Sequence, residues 1–288
     1  MPLNKEFTKM PAMLPLLAKA AISRGSGAKE LPALTRSIRD VGIHAQHLKA
    51  YNAVCGFNNT AIIPPTYLFI CAQPLFMDIM LDKTFPFKVL GLVHVRNQIT
   101  QHRPVRCSER YDVDCALQNL QAVDKGYEFD IVCDVSVSGE VVWSCVMTTI
   151  VRTKSSGSGT KEKKAIEAMD WSDWTTQPFK APADIGRRYA KISGDYNPIH
   201  LYPLTAKLLG FPKAIAHGMW MKAKLLSMLP EGYDGKHNVV IDVAFKLPNL
   251  LPATLDLHTR EVDGVHGAWL RTRKGDKPIV QMSVTQKG

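Results

Sequence analysis

Two stretches of the chain are apolar for the length of a helix, and each is followed by four shorter segments in which apolar and polar residues tend to alternate. The first apolar run, YLFICAQPLFMDIML, spans residues 67–81 and carries Pro74; the second, GMWMKAKLLSML, spans residues 218–229. Apolar residues recurring on one face over this length predict helices. Behind the first lie KVLGLVHVRNQI, YDVDCALQNLQAV, YEFDIVCDVSVS and EVVWSCVMTTIVRT, with turn signals at DKG and SGE. Behind the second lie NVVIDVAFKLPN, ATLDLHTREV, GAWLRTRKG and PIVQMSVTQ, broken at LPNLLP, VDG and KGDK. Segments of this kind predict strands. Because their connections are short, consecutive strands are expected to pair antiparallel.

The order of elements therefore repeats, and a faint repeat of letters precedes it. YNAVCGFNNTAI, from Tyr51, aligns without gaps on YAKISGDYNPIH, from Tyr189, so that Tyr51 meets Tyr189, Gly56 meets Gly194 and Asn59 meets Asn197. Repetition judged on both letters and elements argues for two copies of one unit. A long apolar helix followed by an antiparallel sheet buries itself most economically when the sheet curls around the helix. That is an α+β hotdog unit, and two of them in one chain are expected to join edge to edge as a double hotdog. The expected boundaries are an N-terminal unit over 1–150 with a helical extension, a linker over 151–180 and a C-terminal unit over 181–288.

Composition narrows the setting. A chain of 288 residues that is 45% apolar can build a proper core. The segment AMLPLLAKAAI reads as an amphipathic helix packed on the protein, because Lys19 interrupts it and it is too short to span a bilayer. No integral membrane segment is expected. The six cysteines form no CxxC pair and fall largely in strand-like runs, which points to reduced, buried thiols in a cytoplasmic protein. The formal charge of +10 would suit nucleic acid, but its densest run, RTKSSGSGTKEKK, is Gly/Ser-rich and reads as solvated linker. No nucleic-acid motif accompanies it, and the excess cations suit a small anionic ligand equally well.

The candidate chemistry lies in the second copy. Asp195 stands opposite Phe57 and His200 opposite Ile62, so the ionisable pair exists in one unit and is apolar in the other. Gly194 and the Asn197-Pro198 pair break any continuous helix there, and a looped backbone lets side chains five apart converge. A carboxylate and an imidazole sharing one water form a general acid/base pair that can add water across a polarised double bond or remove it. Such a reaction needs a sink for negative charge, which a backbone N–H at a helix start can supply. Gly218, where AHGMW enters the second apolar helix, fits that place and lacks a side chain to hinder approach. His217 is read as holding the loop ahead of the helix, Tyr189 and Tyr196 as packing residues, and Trp171 and Trp174 as anchors of a surface segment.

SGDYNPIH followed by GFPKAIAHGM resembles the signature of the MaoC-like hydratases, the (R)-specific enoyl-CoA hydratase or hydratase 2 family, and FKLPNLLPATL resembles the segment that follows it. The resemblance covers the C-terminal third strongly, and the degenerate first unit is similar to the double-hotdog branch. It implies that Asp195 and His200 are the catalytic pair, that Asn197 supports them and that the Gly218 amide is the oxyanion-hole donor. It also implies a hydro-lyase acting on trans-2-enoyl thioesters of coenzyme A or acyl carrier protein, with no cofactor beyond the coenzyme A carried by the substrate, and no metal. Arg187 and Arg188 are candidate phosphate contacts. Self-association as a homodimer is left open. Two competitors stand beside this reading: a hotdog thioesterase, disfavoured because the helix after Gly218 lacks a carboxylate before Glu231, and a binding module without turnover.

Overall fold

The computed structural model describes residues 3–59, 61–152, 171–229, 233–273 and 278–287. Strand β1 (Asn4–Phe7) and helix α1 (Met13–Ile22) precede the first unit. That unit comprises β2 (Thr35–Gly42), α2 (Ala45–Cys55), α3 (Tyr67–Met80), β3 (Leu92–Gln101), β4 (Arg110–Val123), β5 (Gly126–Val137) and β6 (Glu140–Arg152). The second repeats the order as β7 (Thr175–Ala181), α4 (Ile185–Ser193), α5 (Pro203–Leu208), α6 (Gly218–Met228), β8 (Val239–Phe245), β9 (Ala253–Val262), β10 (Val265–Thr272) and β11 (Pro278–Gln286). All strands belong to one sheet in the order β1-β2-β4-β5-β6-β3-β8-β11-β10-β9-β7. Apart from the extra edge strand β1, the order is symmetric about the antiparallel β3–β8 pair, which runs from Arg96↔Ala244 to Gln101↔Val239. The expected α+β double hotdog is therefore observed, joined edge to edge.

Three sequence expectations need correction. Consecutive strands do not all pair: β4, β5 and β6 form a meander, as do β9, β10 and β11, but β3 lies between β6 and β8 rather than beside β4. A strand that must reach the seam cannot also sit next to its successor. Each unit also opens with a strand and a short helix that the hydropathy pattern does not show. In β2 the buried inward position at 36 is an arginine, 2% exposed, held by Asp78 and by Asp82 at 2.7 Å. In β7 only Phe179 and Ala181 are buried, and Pro178 is tolerated because β7 is an edge. Finally, β7 falls inside the stretch read as linker, most of which, residues 153–170, lies outside the described residues. Helix α3 runs unbroken through Pro74.

The letter repeat has a structural cause. Gly56 and Gly194 cap α2 and α4 in the left-handed region, at φ 92° and 74°, where glycine pays no steric cost. Tyr51 and Tyr189 are both buried, their ring centroids 6.4 Å apart across the contact between the two helices. The indole N–H of Trp220 donates to the Val54 carbonyl at 3.1 Å, and Ser227 Oγ donates to the Cys55 carbonyl at 2.9 Å, tying α6 to the first unit. Helix α1 buries Leu16 and Ala20 and packs on α3. Among the described residues no helix is long and apolar enough to cross a membrane. All six cysteines carry free thiols, four of them buried.

Candidate active site

The loop from Gly194 to His200 is held by its own side chains. Ser193 Oγ donates to the Tyr189 carbonyl at 3.0 Å and accepts the Asp195 N–H at 3.2 Å. One carboxylate oxygen of Asp195, Oδ1, accepts the Asn197 N–H at 3.1 Å, an Asx turn, and Asn197 Oδ1 in turn accepts the Ile199 N–H at 3.3 Å. Asn197 thus starts the 3-10 turn Pro198–His200, which fixes the offset between Asp195 and His200. Arg187 Nη1 donates to the Leu201 carbonyl and its guanidinium lies over the Tyr202 ring, so this cation braces the segment after the motif.

Asp195, His200 and His217 each present a donor atom, and all of these lie within 4.8 Å of one another. His200 Nδ1 donates to the Ile215 carbonyl at 2.8 Å, which leaves Nε2 of the neutral ring as an unprotonated acceptor. Burial lowers the His200 pKa, against the opposing charge of Asp195, so the ring is neutral near pH 7. The Asp195 side chain is 28% exposed, giving the pair access to solvent. A water between Asp195 Oδ2 and His200 Nε2 would face two acceptors, the arrangement a general base needs. A divalent cation is the other occupant that such a trio could hold; among the described residues no second trio of this kind occurs.

His217 lies deeper in the site than its sequence reading implied. Its Nε2 donates to the Asp195 carbonyl at 3.0 Å, tying the loop ahead of α6 to the Gly194–His200 loop, and its ring stacks on His200 at 3.7 Å. Burial and the neighbouring His200 push its pKa down to about 3. Gly218 is the first residue of α6, with His217 as N-cap and the His217 carbonyl accepting the Met221 N–H. A Cβ at 218 would stand 3.1 Å from the Phe245 ring and crowd it, so glycine eases the packing of Phe245 here.

Two nearby residues carried no sequence signal. His94 lies at a β-bulge in β3, and a bulge re-aims side chains. Its ring stacks on Phe69 and meets Phe245 edge-on, while its Nε2 is buried without a partner. Lys222, on α6, is fully buried. Tyr189 packs on His217 with its hydroxyl buried, and Tyr196 is part-exposed. Trp171 and Trp174 pack with Trp269 and anchor the chain on β10 of the second unit.

The chain is similar to several known proteins. A profile of the MaoC like domain matches residues 159–281. The chain is 34% identical to 3-hydroxyacyl-thioester dehydratase X of Mycobacterium tuberculosis over 259 residues, 90% of this chain and 91% of that protein. It is 30% identical to the (R)-specific enoyl-CoA hydratase of Aeromonas caviae over 97 residues, 33% of this chain and 66% of that one. The crystal structure of HtdX of Mycobacterium tuberculosis superposes with a TM-score of 0.75 at 31% identity, covering 88% of this chain and 100% of that chain. Identity of this extent, joined to a superposition that covers 88% of this chain, means that the chain belongs to the MaoC-like dehydratase family.

Proposed function

We propose that this protein is a hydro-lyase that reversibly hydrates trans-2-enoyl thioesters to (R)-3-hydroxyacyl thioesters. The observation that carries the reading is the convergence of Asp195 and His200, one imidazole nitrogen anchored on Ile215 and the other open, beside the N-terminus of α6. Water held by the pair loses a proton as its oxygen bonds to C3 of the substrate. The same proton passes to C2, so the pair ends in the state in which it began. Between the two steps the thioester oxygen carries negative charge, which the Gly218 amide and the helix terminus stabilise. Asn197 keeps the two side chains in register. The activities named for the relatives of Mycobacterium tuberculosis and Aeromonas caviae support this chemistry and its acyl-thioester substrate class. Whether coenzyme A or an acidic carrier protein brings the acyl chain, both would meet a cationic protein.

Crotonyl-CoA and a long-chain trans-2-enoyl-CoA test the proposal. Hydration bleaches the conjugated thioester without freeing thiol, and the product should be the (R) isomer. Release of thiol at the rate of bleaching would instead establish a thioesterase; α6 carries no carboxylate to support one.

A further inference from the structure

One turn along α6 from Gly218 lies a cation that the proposed chemistry leaves unused. Lys222 is 0% exposed, and its Nζ donates to three oxygens: the Asn97 carbonyl at 3.0 Å, Asn97 Oδ1 at 2.7 Å and the Ile241 carbonyl at 3.0 Å. Three acceptors use all three N–H bonds of an ammonium ion, whereas a neutral amine has only two to give. Asn97 lies on β3 and Ile241 on β8, the strands that form the seam, so both units hold this one charge.

These hydrogen bonds come at a cost. Burying an ammonium ion is costly, and a cation in the first half of a helix opposes the macrodipole. A methionine of similar length would avoid both costs. Departures of this sort from the rules of packing tend to occur where function demands them.

We propose that Lys222, as an ammonium ion, is a positioning residue for the hydration step, its charge adding to the field of the α6 terminus where the thioester oxygen becomes negative. This rests on the hydratase reading above. Four residues of helix rise about 6 Å, and helical side chains lean toward the N-terminus, which puts the charge roughly 8 Å from the Gly218 amide. At an effective dielectric near 20, that distance corresponds to about a tenfold to thirtyfold effect on rate. The groups that sense Lys222 are Cys145 on β6, Asp242 on β8 and His94 on β3. The Cys145 thiol is pushed up to about 12 by burial and stays neutral, the Asp242 carboxylate accepts from Gln98, and the His94 ring is held neutral by burial and by Lys222 itself. Burial brings the Lys222 pKa down to about 7, with the Asp242 charge opposing. The helpful form is the protonated one, so its contribution is present below that pKa and is lost as pH rises through it.

The test is kcat for enoyl-CoA hydration from pH 6 to 9 in the whole protein, in K222M and in N97D, with circular dichroism to report folding. The unsubstituted enzyme should lose activity as pH rises past neutrality. K222M should be about tenfold to thirtyfold slower at pH 6, with KM little changed and the basic limb gone. N97D places a carboxylate on Nζ and should move that limb to higher pH, which decides the matter if K222M does not fold. A folded K222M with the original rate and pH profile, or an N97D limb that stays in place, overturns the role of Lys222 alone. An unsubstituted enzyme without turnover on either chain length removes the hydratase reading, and this inference with it.

Discussion

Replacing Gly186 by alanine isolates the geometry of the site from its chemistry. Gly186 is buried near the start of α4, and a Cβ there would lie 1.9 Å from the His200 carbonyl oxygen and 2.9 Å from its carbon. Ordinary contact begins near 3.4 Å, so one backbone must yield by about 1.5 Å. The atom in the way belongs to the main chain of the 3-10 turn and has no rotamer to escape into. Overpacking of this kind costs about 3 kcal/mol at the upper end of its usual range. The gain in helix propensity from glycine to alanine returns about 1 kcal/mol, leaving a loss near 2 kcal/mol. For a chain of this size that is a fall in Tm of roughly 3 °C. The effect on rate should be larger, since moving a catalytic group by about 1 Å can cost on the order of 100-fold. Calorimetry and crotonyl-CoA hydration on one preparation measure both. If Gly186→Ala kept its Tm and its kcat, the close approach of α4 to His200, and the placement of His200 that depends on it, would be refuted.

Other perturbations probe separate parts of the molecule. Asp195→Asn and His200→Gln should each slow hydration by about 10²- to 10⁴-fold with melting curves preserved; a folded variant of either that hydrates at the normal rate removes that residue from the pair. Because burial lowers the His217 pKa to about 3, the unfolded chain binds a proton below its ordinary value near 6.5 that the folded chain refuses. Stability should therefore fall as pH drops from about 6.5 toward 3, and urea midpoints for His217→Asn should show a flatter fall. Arg36→Met leaves Asp82, 3% exposed at its side chain, without its cation. Urea unfolding should register a loss of about 3–5 kcal/mol, and an unchanged midpoint would show that the buried ion pairs of β2 are dispensable.

Much of the architecture was legible in the letters because burial in this fold is one-sided. The cores of α3 and α6 and the meanders β4–β6 and β9–β11 are apolar on their inward positions, so their periodicity announces them. Gly56 and Gly194 mark matching helix ends because only glycine enters the left-handed region without strain. The closeness of Asp195 and His200 was readable for the same local reason: Gly194, Asn197 and Pro198 dictate a loop whose hydrogen bonds stay within a few residues. By contrast, β2 and β7 carry no such pattern. One buries an arginine against carboxylates from α3 and the turn after it, and the other is an edge with few inward side chains.

By itself, the sequence determined what short-range physics controls: which segments are apolar, where glycine and proline break helices, and which unit keeps ionisable groups. Tertiary structure alone decided that β3 leaves its neighbour to reach the seam, that a bulge turns His94 toward Phe245, that His217 stacks on His200, and that Lys222 finds three oxygens from two units. These depend on groups tens to more than a hundred residues apart, whose meeting is set by how one sheet closes around two helices. No local pattern of hydropathy records that closure.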